Sequence, residues 1–409
     1  MSLQLRWVGT DEIDRVAEAR MLAYANARSE RATYQQNIRQ EVRSGPGDWL
    51  LAERNGEQVG TATNLNLTMW VGGAALSCQG VAYVGTSKTS RRSGGSAPGV
   101  GTAIMNETLR SARERGHILS ALMPFRGSYY EHFGYGFVER RAEWKIPLEL
   151  IPRGDFSTIR MYRDSDFDEL VACRNRIAKA GQCDIERSPE MWRFYLKQEH
   201  GFLVVDRDGD GPVRGWMNFD NQHADGLDTV RAYFDTGYED PDGLKRLLHF
   251  LGSLKDQYRF ASIQLPAGER VNLLLNEKQM THRASKNHPN AEVRNYNRMQ
   301  VRILDHKKFL ESLEWPFFEP RKNVVAVHEP EGTVSKFQVE VVERKCSVTP
   351  THADADLECD ASTWAMIACG DLSHSEAADM GLAKLKPDSR TFALLTWLGV
   401  GTPYCREYF

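Results

Sequence analysis

A glycine-rich loop preceded by two arginines is the first part of the sequence whose residues could do chemistry. Arg91 and Arg92 lead into a loop that contains Gly94, Gly95, Gly99 and Gly101. Glycines let the backbone approach a ligand closely, and the unpaired N–H groups at a helix start attract an anion that the helix dipole also favours. The arginines would add charge-assisted hydrogen bonds. The pattern predicts a phosphate-binding loop, with a mobile surface turn as the alternative.

The end of the chain is the second such part. Its last residues, GTPYCREYF, include Tyr404, Tyr408 and Phe409, which prefer burial, although chain ends normally fray. A buried last residue would hold its α-carboxylate, with an ordinary pKa of about 3.3–3.7, in a defined protein environment. Such a carboxylate could accept a proton. A terminus that is merely docked by its aromatic rings is the alternative.

The elements around the loop can be read from the hydrophobic pattern. The apolar β-branched run at 81–84 predicts a strand, and apolar residues at helical spacing over 104–112 predict a helix after the loop. Gly116 ends that helix, and 118–123 reads as a second buried strand. No Lys-Ser/Thr pair follows the glycines, and no acidic residue follows a GxGxxG motif at the required distance. Nucleoside-triphosphate and dinucleotide loops are therefore unsupported.

This segment resembles the coenzyme-binding core of GCN5-related N-acetyltransferases. The shared order is a strand, a glycine-rich loop that begins with Arg-Arg, a helix, a second strand and the sequence YYEHFGYGF. In that family an R/Q-x-x-G-x-G/A loop holds the pyrophosphate of coenzyme A. The frame that begins at Arg91 has Ser96 where glycine or alanine is usual, whereas the frame that begins at Arg92 fits fully. The helix is better started at Gly99, as though about five residues were inserted before it.

The resemblance implies acetyl-CoA as cosubstrate and assigns coenzyme contacts. These fall at the strand end and in the loop: Val84, Gly85, Thr86, Arg91, Arg92, Ser93, Gly94, Gly95, Ser96, Gly99, Gly101 and Thr102. Phe125 and Arg126, after the second strand, would line the pantetheine or the thiolate site.

Within the family the sequence is most similar to the Eis-like branch, and this resemblance implies two catalytic groups. Tyr130 matches the general acid, while Tyr129 is one position off and is expected to face elsewhere. The Phe409 carboxylate matches the base in residue type and position at the chain end. The acceptor would be a primary amine of an aminoglycoside, a lysine or a polyamine. Both tyrosines could instead be core aromatics.

An internal repeat divides the chain. LLAERNGEQVGTATNL at 50–65 is echoed by FLVVDRDGDGPVRGWMNF at 202–219, which indicates two copies of one fold. The second loop, TGYEDPDGL, carries Glu239, Asp240 and Asp242, whose charges would repel a pyrophosphate, so we expect that copy to have lost the coenzyme site.

The expected fold class is α/β (α+β), with tandem acyltransferase folds followed by a sterol-carrier-like (SCP2-like) α+β domain. The predicted domains are 1–147, 148–290 and 291–409, with the last bringing the chain end to the active site. The carrier likeness leaves open a second interpretation, a catalytically silent acyl-CoA, lipid or small-molecule binding protein. The resemblance also implies a homo-oligomer, often a hexamer.

Composition excludes several classes of protein. The net charge of −3 argues against a nucleic-acid partner, and no apolar stretch approaches the roughly 18 residues of a membrane span. The start of the chain lacks the apolar core of a signal peptide, so we expect a cytoplasmic protein. The seven cysteines form no CxxC pair, and the Asp-rich turn at 206–211 lacks the glutamate that a calcium loop needs, because position 217 is Met217. We therefore expect no metal.

Overall fold

A computed structural model describes most of the chain. The described residues are 2–25, 28–44, 47–91, 99–196, 201–222, 229–280, 289–387, 393–399 and 401–409. Their contacts separate into two compact units. Unit 1 comprises Met1–Val138, Met299–Gly399 and Phe409, and unit 2 comprises Glu139–Arg298 and Val400–Tyr408.

The first part of the chain forms a mostly antiparallel sheet with helices. Its elements are β1 (Gln4–Val8), α1 (Ile13–Tyr24), α2 (Arg31–Ser44), β2 (Gly47–Arg54), β3 (Glu57–Val71), β4 (Ala74–Thr86), α3 (Val100–Glu114), β5 (Leu119–Leu122), α4 (Gly127–Glu131) and β6 (Gly136–Phe137). The β2–β3 turn has positive φ at both Asn55 and Gly56, which is the geometry of the two-residue hairpin turn that Asn-Gly predicts.

The segment that repeats this pattern forms the sheet of unit 2. Its elements are β7 (Arg140–Pro147), β8 (Ile159–Met161), α5 (Phe167–Ala180), β9 (Asp184–Ile185), α6 (Pro189–Leu196), β10 (Phe202–Arg207), β11 (Val213–Gln222), β12 (Thr229–Tyr238), α7 (Pro241–Ser253), β13 (Phe260–Pro266) and β14 (Glu292–Asn297). The strand order is β14-β7-β13-β12-β11-β10-β8. As in the first part, a hairpin leads into a strand, a helix and a parallel strand, so the repeat read from the sequence is present in the fold.

The last large segment has the strand-then-helix order that the sequence predicts. Its elements are β15 (Gln300–Ile303), α8 (His306–Ser312), β16 (Arg321–His328), β17 (Val334–Val342), β18 (Lys345–Pro350), β19 (Leu357–Asp360), α9 (Ala361–Ala368), α10 (His374–Asp379), β20 (Ala383–Leu385) and α11 (Ala393–Leu398). A separate sheet has the order β18-β17-β16-β19-β20. Within the described residues, no helix is long and apolar enough to cross a membrane.

One strand of this segment joins the first sheet. The sheet order in unit 1 is β1-β2-β3-β4-β5-β15-β6, and β15 pairs antiparallel with β5 from Gln300–Leu122 to Ile303–Leu119. Both strands are buried along their whole length. A buried strand needs partners on both sides for its backbone groups, and β15 satisfies the outer side of β5. The division into three domains stays a prediction, because the grouping of contacts does not test which pieces fold alone.

Candidate functional site

An opening in the first sheet lies where β4 and β5 stop pairing. Their parallel register runs from Cys78–Leu119 to Val81–Leu122. β4 continues to Thr86, and the described pairings of its last residues are to β3. The β3–β4 register shifts there, and Tyr83 has a φ of 51°, which marks a β-bulge. The two strands therefore part in front of Val84, Gly85 and Thr86.

The start of α3 faces this opening. Gly99 caps the helix in an extended conformation, and its first turn contains no acidic residue. The first N–H groups of a helix have no partner within the helix, so this end can accept an anion. A Cβ atom on Gly101 would lie 2.7 Å from the Tyr129 hydroxyl oxygen and 3.6 Å from Thr86 Oγ1. The bare Gly101 backbone thus lies between two hydroxyl groups.

Only part of the predicted coenzyme loop lies within the described residues. The predicted residues Arg92, Ser93, Gly94, Gly95 and Ser96 lie outside the described residues. Arg91 is exposed, and its guanidinium group lies 3.5 Å from the carbonyl oxygen of Ala23. Thr102 lies in the first turn of α3 and is partly exposed.

Three aromatic residues lie on the other side of the opening. Tyr130 is 4% exposed and packs in the core cluster that contains Val81, while Phe125 is 76% exposed. The ring centroids of Tyr129 and Tyr130 are 4.9 Å apart, and that of Phe125 is 6.0 Å from that of Tyr130. Burial raises the pKa of Tyr130 above the usual tyrosine range and the pKa of Tyr129 to about 12. Both phenols are therefore protonated at neutral pH.

Tyr129 faces a different direction from Tyr130, as expected, but its hydroxyl group still lies at the opening. Its hydroxyl group lies beside Gly101 at the start of α3, as described above. Tyr129 and Tyr130 are neighbours on the one-and-a-half turns of α4, so one reaches the helix start while the other enters the core. Arg126 is the N-cap residue of α4, and its Nε donates to Ser128 Oγ at 3.3 Å. Its side chain is exposed.

Phe409 packs beside Gly80 of β4, just before the strands part. A Cβ atom on Gly80 would lie 3.2 Å from Phe409 Cδ2 and 3.1 Å from Cβ of Leu65 in β3. Gly80 is adjacent to Val81, the last residue of β4 that pairs with β5. Successive residues of a strand face opposite sides of the sheet, so Phe409 and the core around Val81 lie on opposite faces at the point where the strands part.

Sequence reasoning missed a buried cation on that face. Arg20 of α1 is fully buried, donates to Thr63 Oγ1 at 2.7 Å and stacks on the Tyr83 ring at 3.6 Å. Thr63 and Leu65 lie on one face of β3, so Arg20 and Phe409 lie on the same face of the sheet. The available signal was a charged residue at helical spacing from the buried Val16 and Ala17 of α1.

The structure thus brings most of the described candidates to one end of the sheet. Val84 and Thr86 lie at the start of α3, whereas Gly85 faces Ala23 and Tyr24 of α1. Tyr130 and Phe125 follow β5, and Phe409 packs on β4. Among the described residues, no group of three His, Cys, Asp or Glu side chains could hold a metal ion. The arrangement offers an anion site, a protonated phenol and a chain terminus around one opening.

Comparison with known families gives one match. Residues 4–138 match the family model described as an acetyltransferase (GNAT) domain. The matched residues contain β4, α3, β5 and α4, the elements that build the opening. No curated protein matches the chain.

Solved structures match the chain over its full length. A GCN5-related N-acetyltransferase from Anabaena variabilis is 17% identical, with a TM-score of 0.82, and the alignment covers 99% of this chain and 100% of that one. One from Kribbella flavida is 20% identical, with a TM-score of 0.77 and coverage of 100% and 98%. Eis1 from Mycobacterium abscessus is 18% identical, with a TM-score of 0.78 and full coverage of both chains. At these identities the likeness establishes a shared fold.

Proposed function

We infer from the acetyltransferase (GNAT) domain at residues 4–138 that the chain is an N-acyltransferase, and we propose that it transfers acetyl from acetyl-CoA to a primary amine. The observation that carries the proposal is that the family match covers the parted strands and the glycine-capped helix. A strand opening that ends beside a helix N-terminus can hold an extended ligand with an anionic end.

The described residues fit the parts of the coenzyme. The unpaired N–H groups at the start of α3 and the exposed Arg91 suit the pyrophosphate. The end of β4 at Val84–Thr86 offers backbone groups to the amides of the pantetheine arm. The exposed ring of Phe125 and the guanidinium group of Arg126 would flank that arm beyond β5. Gly101 leaves room beside the Tyr129 hydroxyl for a close backbone approach.

The coenzyme supplies the acetyl group in activated form, as a thioester. In our proposal the Phe409 carboxylate removes a proton from the acceptor ammonium group, directly or through water, so that its nitrogen lone pair can attack. As the C–S bond breaks, the Tyr130 hydroxyl donates its proton to the departing sulfur, and it regains one from the acylated nitrogen, which loses its second proton as the amide forms. The raised pKa of Tyr130, caused by burial, keeps that proton in place at neutral pH. Backbone N–H groups of the bulged end of β4 are suited to stabilise developing negative charge on oxygen.

The proposal extends to the architecture and the acceptor. We propose an Eis-like protein in which the second fold has lost the coenzyme site and residues 291–409 form the sterol-carrier-like domain. The separate sheet β18-β17-β16-β19-β20 with its helices supports this assignment. The acceptor class, an aminoglycoside, a lysine or a polyamine, and a homo-oligomeric state belong to the same proposal.

The test is acetyl-CoA turnover, followed by thiol release over a panel of these amines. We compare the wild type with Tyr130→Phe, with a variant lacking Phe409, and with Tyr129→Phe as the matched control. Loss of the acid or the base should lower kcat by about 10²–10⁴-fold. Tyr129→Phe should mainly alter the KM for acetyl-CoA, because its hydroxyl group lies at the helix start and not in the core.

A wild-type protein that does not bind acetyl-CoA would refute the proposal. Binding without turnover over the whole panel, together with lipid retained through purification, would favour the alternative of a silent binding protein. Equal kcat in Tyr130→Phe and the wild type would reject Tyr130 as the acid while leaving the transferase proposal intact.

A further inference from the structure

Unit 2 contains an opening with the same topology. β12 and β13 pair in parallel from Thr229–Phe260 to Ala232–Ile263. β12 then continues to Tyr238 beside β11, and β13 continues to Pro266 beside β7. These strands therefore part at their carboxyl ends, as β4 and β5 do, and α7 stands between them in the chain in the place of α3.

Side chains from the end of the chain bond to both of these strands. Arg406 Nε donates to the carbonyl oxygen of Thr236 in β12 at 3.1 Å. The Tyr404 hydroxyl donates to the carbonyl oxygen of Gln264 in β13 at 2.9 Å. Both carbonyl groups lie beyond the last β12–β13 pair. The chain end thus supplies hydrogen-bond donors within the opening of its own unit.

The backbone of this segment is held by buried charged side chains. Glu139 accepts from the N–H of Cys405 at 2.9 Å, and Asp184 accepts from the N–H of Arg406 at 2.8 Å. Arg298 donates to the carbonyl oxygens of Cys405 and Glu407, each at 2.6 Å. These side chains bind the backbone N–H and C=O groups of the segment individually. A β-strand would instead bind them through a regular ladder of backbone hydrogen bonds.

A charged side chain also takes the place of a ligand at the helix start. The Asp240 carboxylate accepts from the N–H of Gly243 at 2.7 Å and so caps α7. A cavity of about 540 Å³ remains beside the chain end, and its lining includes the carboxylates of Glu239 and Glu269. The Asp240 carboxylate at the helix start opposes a phosphate there, while the cavity lining also contains Arg176, which is paired with Glu239, and Arg406. Side chains do not fill the space beside the parted strands completely, since this cavity remains.

We propose that residues 401–408 are an intramolecular peptide ligand of the parted strands in unit 2. Tyr404 and Arg406 occupy the part of that opening at which the matching opening of unit 1 would accept the pantetheine arm of the coenzyme. Only this comparison with the coenzyme rests on the proposed function; the peptide site stands on unit 2 alone. The peptide site holds the residues that directly precede Phe409, the proposed base.

The first test uses a protein that ends at residue 400 and a fluorescent synthetic peptide of residues 401–409. We expect saturable binding by fluorescence polarisation and a rise in Tm on binding. Peptides with Tyr404→Ala or Arg406→Ala should bind at least about tenfold more weakly. The first loses the hydrogen bond to β13 and the ring that stacks on Arg141, and the second loses the bond to β12 and the ion pair with Asp184. A folded shortened protein that does not bind the peptide overturns the proposal.

The second test uses the full chain, so that it decides the matter even if the shortened protein does not fold. Tyr404→Phe removes the hydroxyl group that bonds to β13, and Tyr408→Phe is the matched control on a residue that is 65% exposed. Amide hydrogen exchange over residues 402–407 should become at least about tenfold faster in Tyr404→Phe alone. Unchanged exchange in Tyr404→Phe overturns the proposal. Neither readout depends on acetyl transfer, so failure of the proposed function is separately visible.

Discussion

At the scale of single residues, the missing side chain of Gly101 controls access to the start of α3. A methyl group there would come within 2.7 Å of the Tyr129 hydroxyl oxygen, which is closer than real Cβ contacts. The obstacle is the far end of one flexible side chain, so the helix itself can tolerate the methyl group. The conflict would instead move Tyr129, and the space beside the first turn would change. Coenzyme affinity should therefore be more sensitive than stability to this position.

We predict that Gly101→Ala raises the KM for acetyl-CoA about tenfold, which corresponds to about 1.4 kcal/mol. The Tm should stay level or rise, because alanine favours a helix over glycine by roughly 0.5–1 kcal/mol. The measurement is steady-state kinetics beside thermal unfolding. The control compares Tyr129→Phe with the double variant Gly101→Ala/Tyr129→Phe, whose KM values should be nearly equal because the obstructing hydroxyl group is gone in both. An unchanged KM in Gly101→Ala would contradict the prediction.

At the scale of elements, the site depends on a strand that is distant in the sequence. β5 carries the chain into Phe125 and α4, and it is buried on every residue. β15 covers its outer edge and also pairs with β6 at Gly136 and Phe137. Without β15, both strands would present unpaired backbone groups in an apolar setting. An edge of this kind promotes aggregation.

We predict that residues 1–138 alone do not form a stable, monomeric domain, although the family match lies within them. The same residues joined by a flexible linker to residues 299–315 should be recovered as a folded monomer. Light scattering and circular dichroism provide the measurement. Val301→Pro in the linked protein is the control, because β15 lies between β5 and β6 and a proline in it removes a ladder hydrogen bond. A stable monomer of 1–138 without β15 would show that the strand is dispensable.

The elements also show what the sequence could and could not predict. The Asn55–Gly56 turn, the end of α3 at Gly116 and the repeat were readable because local residues determine them. The pairing of β15 with β5 was not, since a short buried strand carries no mark of its partner. Arg20 was missed for a similar reason: its role depends on Thr63 and on the Tyr83 bulge, and both lie far along the chain.

At the scale of the whole molecule, both units bury phenols. Tyr130 and Tyr135 lie in the core of unit 1, and Tyr195 and Tyr238 lie in unit 2. Burial is the largest cause that raises the pKa of each of them above the usual tyrosine value. In the unfolded chain the same groups titrate near an ordinary pKa of about 10. Folding therefore holds protons that the unfolded chain releases in alkali.

This difference fixes the sign of the alkaline response. Below about pH 10 the tyrosines are protonated in both states and contribute no pH dependence. Above it the unfolded state binds fewer protons than the folded state, so the free energy of unfolding falls as pH rises.

We predict a Tm that is insensitive to tyrosine ionisation up to about pH 9 and that drops progressively from about pH 10. Differential scanning calorimetry gives the Tm, and absorbance at 295 nm follows tyrosinate. The tyrosinate signal of these four side chains should appear together with unfolding, and lysines contribute no absorbance at this wavelength. Full titration near pH 10 in a protein that stays folded would contradict the burial of these four side chains.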